Sequence, residues 1–344
     1  MSKTRVAVVG CGSVSDKYLP DLLANPFVEV TSLCDASKEQ VKRQAETFGI
    51  DRTYSDISQL MADGQFDLLV NLTSMKFHAP INRMALEAGK HVWCEKPMAT
   101  DLKEAYELIS LAKQKGLGMW AAPNSPTSPA FKTMKEIVAS GSIGKVFAAH
   151  GIYGSEGPSW SPWFYKKGGG ALYDLGVYNI TTLAAILGPV QRVTAFIGTA
   201  LPERTIDIGN IEVESDDNAV VVMDHGNSVL SVIQTGYVYG KQLEDVTIQI
   251  IGTNGAVAME GYDWDPKGVR VCEGMTGQWK TVCRDQKGYD WFSGASYVAE
   301  CLAMGKEPEM TGEQAVHVLE IMNAAHESAR TGRVVNLEST FFWK

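Results

Sequence analysis

Short apolar runs alternate with helical patterns up to residue 121, and this alternation restricts the fold more than any other feature of the 344-residue chain. The apolar runs that we predict as strands are Arg5–Val9, Val28–Cys34, Leu68–Leu72, His91–Cys94 and Leu117–Ala121. The segments that we predict as helices are Val14–Leu23, Lys38–Phe48, Ile81–Ala88 and Leu102–Lys115. Strands that alternate with helices indicate an α/β fold with a parallel, doubly wound sheet, because parallel neighbours need a crossover helix.

The alternation stops at Pro123–Pro129, where three of the seven residues are proline and regular structure is interrupted. We therefore predict a first domain of residues 1–123 and a second domain of residues 124–344. Residues 190–283 read mostly as strands with turn residues between them, which indicates a largely antiparallel sheet in an α+β domain. The elements predicted beyond the boundary are helices near Phe131–Ala139, Leu172–Leu187, Tyr289–Met304 and Gly312–Arg330, and strands at Glu212–Met223, Ser228–Thr235, Val246–Ile251, Ala256–Glu260 and Val269–Cys272.

The composition excludes several classes of partner. The formal net charge of −9 argues against nucleic acid and against an anionic membrane surface, because both need a basic face. The apolar runs are too short for a membrane span, and the N-terminus does not resemble a signal peptide. The six cysteines include no Cys-x-x-Cys pair and the six histidines have no ligand-like spacing, so we expect neither disulfides nor a metal site. We predict a cytoplasmic protein.

A glycine-rich loop follows the first predicted strand. It reads Gly10-Cys11-Gly12-Ser13-Val14-Ser15, the GxGxxG pattern with serine at the third glycine. In such a loop the first glycine allows a tight turn, the second lets the backbone approach a pyrophosphate, and the amides that open the helix face the phosphate charge. The residues that we predict to contact a dinucleotide here are Gly10, Gly12, Ser13 and Val14.

Asp35 lies twenty residues after Ser15, at the end of the second predicted strand. An acid at this place typically accepts hydrogen bonds from the adenosine ribose hydroxyls. Because a carboxylate repels a 2′-phosphate, we predict NAD as the cofactor, with NADP as the alternative that the nearby Lys38 leaves open. A structural interpretation is also open, in which Asp35 caps the helix that begins near Ser37.

The charged pair Glu95-Lys96 follows the predicted strand at His91–Cys94 and precedes Pro97. Open α/β sheets bind ligands at the carboxyl ends of their strands, which makes this pair a candidate site. Pro97 also biases the backbone of Lys96 towards an extended conformation. On local sequence alone, a solvated surface lysine is the alternative.

Several motifs occur together in one order along the chain. They are Gly10-Cys11-Gly12, Thr73-Ser74 with His78, Cys94-Glu95-Lys96-Pro97-Met98-Ala99, the stretch from the triple glycine Gly168–Gly170 to Tyr178, and Gly332-Arg333-Val334-Val335 after the final helix. With these motifs the chain resembles the family of glucose–fructose oxidoreductase, inositol dehydrogenase and MocA along nearly its whole length. The resemblance implies a Rossmann domain followed by a domain with an open, mostly antiparallel sheet. It also implies a homodimer or homotetramer formed through that sheet.

The same resemblance implies roles for individual residues. Lys96 would be the catalytic lysine, and Glu95 would hold the nicotinamide ribose. The residues implied to lie along the cofactor are Thr73, Ser74 and His78, with Asn124 near the nicotinamide end.

One part of the chain departs from the family pattern GGGxLxDxGxHxxD. The first aspartate is present as Asp174, but Tyr178 replaces the proton-transferring histidine and Thr181 replaces the last aspartate. Tyrosine also occurs at this position within the family. A tyrosine with an ordinary pKa of about 10 is a poor base, but a nearby lysine ammonium favours the tyrosinate. Because Asp174 and Tyr178 are four residues apart, we expect them to share a helix face.

We therefore predict Lys96, Asp174 and Tyr178 as catalytic residues, with a core tyrosine as the alternative for Tyr178. Upstream, Trp160–Lys167 is rich in aromatic residues, whose faces suit sugar rings. Trp163 and Tyr165 are thus predicted to wall a carbohydrate pocket, with a packed loop or a subunit contact as the alternative.

Together these features predict an NAD-dependent oxidoreductase that transfers hydride between nicotinamide and a secondary alcohol of a sugar, polyol or glycoside. Two alternatives retain the dinucleotide. One is a glycosidase that oxidises its sugar transiently and regenerates the cofactor in each cycle. The other is a non-catalytic sensor, which the presence of Lys96 and Asp174 disfavours.

Overall fold

A computed structural model describes residues 3–240, 245–274 and 277–342 of the chain. The chain divides into two compact units. The first comprises Met1–Asn124 and Asp290–Val316, and the second comprises Ser125–Tyr289 and His317–Lys344. Neither unit is a continuous segment, because residues 290–316 return to the first unit. The assignment of residues 1–123 to a cofactor domain and 124–344 to a substrate domain stays a prediction.

The first unit contains a parallel sheet. Its strands are β1 (Thr4–Val9), β2 (Val28–Cys34), β3 (Thr53–Tyr54), β4 (Leu68–Asn71), β5 (His91–Cys94) and β6 (Met119–Ala121). They lie in the order β3-β2-β1-β4-β5-β6, and every neighbouring pair is parallel. The order reverses between β1 and β4, which is the switch point where doubly wound sheets bind ligands. The predicted Rossmann-type sheet is confirmed.

The helices of both units are α1 (Ser15–Ala24), α2 (Lys38–Phe48), α3 (Ile57–Asp63), α4 (His78–Glu87), α5 (Leu102–Gln114), α6 (Pro129–Ser140), α7 (Val177–Leu187), α8 (Gly294–Ala303) and α9 (Gly312–Thr331). Helix α2 illustrates how local sequence sets their ends. The Ser37 hydroxyl accepts a hydrogen bond from the amide of Gln40, and Gly49 closes the helix in the left-handed conformation at φ 68°. Within the described ranges, no helix combines the length and apolar character needed to cross a membrane.

The second unit contains a larger sheet and a separate hairpin. The strands are β7 (Val146–Gly154), β8 (Arg192–Gly198), β9 (Glu203–Ile206), β10 (Gly209–Glu212), β11 (Asn218–Asp224), β12 (Leu230–Gly236), β13 (Val246–Gly252), β14 (Gly255–Tyr262), β15 (Asp265–Glu273), β16 (Lys280–Cys283) and β17 (Val335–Asn336). Nine of them lie in the order β16-β15-β14-β13-β7-β12-β11-β8-β17, and β9 and β10 form a separate two-stranded sheet. The pair β7–β12 is parallel and the other pairs are antiparallel, which confirms a mostly antiparallel sheet.

The two faces of this sheet differ. Helix α7 packs on β7, β12 and β13, and α6 packs on β14 and β15. Side chains on one face of the sheet are buried, as Val221 on β11 and Ile233 on β12 are. The alternate residues point to the opposite face and are partly exposed, because successive side chains of a strand alternate. That face carries Phe196, which is 84% exposed and pairs with Val220 on the neighbouring strand.

Two of the differences between the predicted and the observed elements of the second unit have a structural reason. The strand predicted at Glu212–Met223 is interrupted between β10 and β11, because Asp216 and Asp217 turn inwards and accept hydrogen bonds from backbone amides. Strand β7 was not predicted at all. A Cβ at its central residue, Gly151, would lie 3.0 Å from the side chain of Ile233, so little space is left for a larger residue. The strand therefore lacks an apolar side chain at its centre, and its sequence does not show a clear strand pattern.

Candidate active site

The glycine loop after β1 is shaped by two glycines with different surroundings. Gly10 has φ 97°, and a Cβ there would lie 2.6 Å from the carbonyl carbon of Leu72, so no side chain fits. At Gly12 a Cβ would meet nothing within 4 Å. The backbone of Gly12 is therefore open to a ligand at the N-terminus of α1, where amides and the helix dipole favour an anion. This opening fits a pyrophosphate.

Asp35 holds the loop and the start of α2 together. Its Oδ2 accepts a hydrogen bond from the amide of Cys11 at 2.7 Å, and its Oδ1 accepts one from the amide of Ser37 at 2.8 Å. The cap of α2 itself is Ser37, so Asp35 supports that cap without replacing it. Each carboxylate oxygen keeps a second acceptor site, which suits the ribose hydroxyls of a dinucleotide.

Glu95 is positioned by a residue that the sequence did not single out. The hydroxyl of Tyr18, a buried residue of α1, donates to Oε1 of Glu95 at 2.6 Å. Oε2 of Glu95 accepts from the amide of Lys96 at 3.0 Å. The predicted catalytic lysine thus follows a glutamate whose two carboxylate oxygens each accept a hydrogen bond. Lys96 itself is half-buried.

A buried polar network fastens the Lys96 segment to β4 and α4. The ring nitrogens of His78 lie 2.8 Å from the carbonyl oxygen of Thr73 and 2.6 Å from that of Pro97. Asn82 donates to the carbonyl of Met98, and Asn71 donates to Asn82. His78 thus connects two loops at the carboxyl edge of the sheet. Its position along the cofactor stays a prediction.

The remaining cofactor residues predicted in the first unit lie at the same edge. Thr73 donates its hydroxyl to Oδ1 of Asn71, and Ser74 is exposed. Asn124 is buried after β6, where its Nδ2 donates to the carbonyl of Asp290 and to the hydroxyl of Ser293. The sequence predicted their location after strands, but their roles remain predictions.

The triple glycine of the second unit forms a turn around Asp216. A Cβ at Gly170, whose φ is 111°, would lie 2.1 Å from Oδ1 of Asp216, and one at Gly169 would lie 2.5 Å from the carbonyl oxygen of Trp163. The amide of Leu172 donates to Oδ2 of Asp216 at 2.9 Å. Only glycine fits these positions, and the turn leads into a short π-helix at Leu172–Gly176, directly before α7.

Asp174 and Tyr178 face one aromatic cluster of the second unit. The hydroxyl of Tyr237 donates to Oδ2 of Asp174 at 2.8 Å. Burial, followed by the charge of Asp174, raises the pKa of Tyr237 well above its usual value, so that hydroxyl stays a donor. Tyr178 packs against the same cluster, edge to face with Tyr153 at 6.2 Å between ring centroids. The structure therefore brings Asp174 and Tyr178 to one surface, and no sequence signal had marked Tyr237.

The two aromatic residues predicted to wall a substrate pocket have different environments. Tyr165 is 1% exposed, and its hydroxyl donates to the carbonyl of Pro158. Trp163 is 42% exposed and stacks on Phe164 at 3.9 Å. Within the second unit Tyr165 is a core residue, whereas Trp163 has an accessible ring. In the described part of the chain, no group of His, Cys, Asp and Glu is arranged to hold a metal ion.

The glycine loop, the acid at the end of β2 and the strand order define the first unit as a dinucleotide-binding Rossmann domain. Residues 4–122 match the family model described as an oxidoreductase family with an NAD-binding Rossmann fold. Residues 131–258 match the model of the GFO/IDH/MocA C-terminal domain. The chain therefore belongs to the GFO/IDH/MocA family of oxidoreductases, and its cofactor is NAD. The predicted family, fold class and cofactor are confirmed.

Individual relatives are distant in sequence, and a solved structure has a similar fold. D-apiose dehydrogenase of Paraburkholderia graminis is 23% identical, over 97% of this chain and 89% of its own. Trans-1,2-dihydrobenzene-1,2-diol dehydrogenase of Mus musculus is 27% identical, over 83% of this chain and 86% of its own. A structure of levoglucosan dehydrogenase in complex with NADH and levoglucosan has a TM-score of 0.88 at 22% identity, covering 97% of this chain and 99% of the other. At this identity the structural likeness supports the fold alone.

Proposed function

We propose that this oxidoreductase transfers hydride between NAD and a secondary alcohol of a sugar, polyol or glycoside. The observation that carries the proposal is the surface where Asp174 and Tyr178 meet an aromatic cluster. A carboxylate and a phenol beside aromatic rings suit a ligand with hydroxyl groups and an apolar ring face. Relatives named for apiose, levoglucosan and 1,5-anhydrofructose support the same substrate class.

In the proposed mechanism, bound NAD supplies the site that exchanges hydride with the substrate carbon. During oxidation Tyr178 accepts the proton of the substrate hydroxyl. Asp174, held by the hydroxyl of Tyr237, orients that hydroxyl or a neighbouring one. Lys96, the catalytic lysine that the resemblance implies, would supply the positive charge that stabilises negative charge on the reacting oxygen. Glu95 would hold the nicotinamide ribose from its place between Tyr18 and the Lys96 amide.

The first test is a panel of free sugars, inositols and glycosides, screened for NADH formation and for cleavage products. We expect stoichiometric NADH from at least one member. Lys96→Ala and Tyr178→Phe should each lower turnover by about a hundredfold or more, because each removes a group that acts on the reacting proton or charge. NADH affinity is measured separately by fluorescence.

The outcomes separate the candidate functions. Turnover that survives both substitutions in folded protein would contradict the assignment of Lys96 and Tyr178. Cleavage of a glycoside without net NADH would replace the dehydrogenase proposal with that of a redox-assisted glycosidase. NADH binding without turnover of any panel member would favour a sensor.

We further propose that the protein forms a homodimer or homotetramer through the open face of the nine-stranded sheet. The resemblance implies such an assembly, and Phe196 on this face has the exposed apolar character that an interface buries.

A further inference from the structure

A second pair of aromatic residues lies close to Tyr178. Tyr262 ends β14, and Trp264 lies on the tight turn to β15, across which Tyr262 pairs with Asp265. Both residues are half-buried and pack against the core cluster that contains Tyr153. Their rings are nearly parallel, with 9° between planes and 5.6 Å between centroids. The residue between them, Asp263, is fully buried.

This pair joins the cluster that Tyr178 faces. The ring of Tyr153 lies 4.9 Å from that of Tyr262 and 6.4 Å from that of Trp264, centroid to centroid. Tyr153 is in turn edge to face with Tyr178 at 6.2 Å. Ring contacts therefore run from Trp264 through the buried Tyr153 to Tyr178, the residue that we propose as the proton acceptor.

The turn is also fastened to the helix that carries Tyr178. Oδ2 of Asp263 accepts hydrogen bonds from Nδ2 of Asn179 and from the hydroxyl of Thr182, each at 3.0 Å. Asn179 is the residue after Tyr178 on α7, and its Nδ2 lies 3.0 Å from the hydroxyl of Thr247 as well. These bonds fix the distance between the two aromatic rings and Tyr178, as a substrate platform requires.

We propose that Tyr262 and Trp264 form the platform on which the apolar face of a sugar ring stacks, while the ring hydroxyls reach Asp174 and Tyr178. This inference rests on the proposed function and names the residues that select a ring-shaped substrate. Aromatic faces attract the polarised C–H groups of a sugar ring. Tyr165, by contrast, is buried.

The test compares Trp264→Ala, Trp264→Phe and the control Trp279→Ala, which removes another partly exposed tryptophan of the same unit. With the cyclic sugar that the wild type oxidises best, Trp264→Ala should raise KM about tenfold and leave kcat nearly unchanged, because the lost contact binds substrate and transition state alike. Trp264→Phe should restore most of the affinity, since it keeps an aromatic face. The Trp264 variants should bind NADH with wild-type affinity, and Trp279→Ala should have the KM and kcat of the wild type.

A KM for Trp264→Ala within twofold of the wild type would overturn the platform while leaving the proposed function intact. So would a loss in kcat alone, or an increase in KM that appears with Trp163→Ala instead. Where no panel member is turned over, calorimetric titration of the NADH complex with D-glucose, levoglucosan and myo-inositol tests the platform. Binding of one of them by the wild type and not by Trp264→Ala supports it, and absence of binding to the wild type overturns it.

Discussion

The two glycines of the phosphate loop are needed for different reasons, although both are part of the same sequence motif. Gly10 is required by the fold, because a Cβ would collide with the backbone at Leu72. Gly12 has open space in front of it, so the fold tolerates a methyl group there. The same methyl group would occupy the space through which a pyrophosphate approaches the loop.

We therefore predict that Gly12→Ala keeps the thermal stability of the wild type and weakens NADH binding about tenfold or more. Gly10→Ala should instead unfold at lower temperature, because it strains a backbone with φ 97°. NADH fluorescence titration and thermal unfolding, run on both variants, give the comparison. Wild-type NADH affinity in Gly12→Ala would show that the dinucleotide does not approach this glycine.

Functional residues could be predicted where a fold places them at a recurring position, such as the residue after a strand. Asp35 and Lys96 follow strands at the carboxyl edge of a parallel sheet, and a short sequence window reveals that. Tyr18 and Tyr237 were not predictable, because their importance lies in a contact with Glu95 or Asp174 far away in sequence. A tyrosine in an apolar pattern reads as core until its hydroxyl partner is known.

At the scale of elements, local signals located helix α2 to the residue and missed strand β7. The ends of α2 are set by Ser37 and Gly49, which act within one turn of the chain. Strand β7 is central in its sheet, and neighbouring elements leave no space for larger side chains at Gly151 and Gly154. The continuous helix predicted from Leu172 begins instead with the π-helix at Leu172–Gly176, where the glycine turn closes on Asp216.

The link between α7 and the β14–β15 turn has a consequence for stability. Burial raises the pKa of Asp263 from 3.8 to about 6, partly offset by its bonds from Asn179 and Thr182. Between these two pH values the folded protein holds a proton that the unfolded chain has lost. The free energy of unfolding therefore falls as pH rises through this window, by about 3 kcal/mol in all.

Asp263→Asn keeps an acceptor oxygen for Asn179 and Thr182 but cannot titrate. We predict that the drop in unfolding free energy between about pH 4 and about pH 7 shrinks by about 3 kcal/mol in this variant. Urea denaturation followed by circular dichroism measures it. The control is Asp265→Asn, two residues away, where the carboxylate is exposed and paired with Lys267. An unchanged pH dependence in Asp263→Asn would contradict the prediction.

For the whole molecule, the sequence predicted two domains but not the return of residues 290–316 to the first unit. That return depends on contacts between segments far apart in sequence, such as the bond from the Thr4 hydroxyl to the carbonyl of Ala299. The Ser296 hydroxyl likewise donates to Asp21. No window of sequence contains both partners of such a contact, so pattern reading treats α8 as part of the segment that precedes it.

The open face of the nine-stranded sheet carries apolar side chains that contact with a second copy of the chain would bury. Phe196 on β8 is in register with Val220 on β11, which pairs with Gln234 on β12, and that residue pairs with Ile152 on β7. Three of these four residues are apolar, and two copies of the sheet that meet face to face would remove their side chains from water. Because Phe196 is 84% exposed, replacing it leaves the interior of the unit untouched.

We predict that the wild type is a homodimer or homotetramer and that Phe196→Asp shifts it to smaller species, since the substitution places a charge within an apolar contact. The matched control is Phe342→Asp, at a ring that is 87% exposed and lies outside the sheet. Light scattering after size exclusion, at several protein concentrations, gives the mass of each. A monomeric wild type, or a Phe196→Asp variant with the wild-type mass, would place any association elsewhere than on this face.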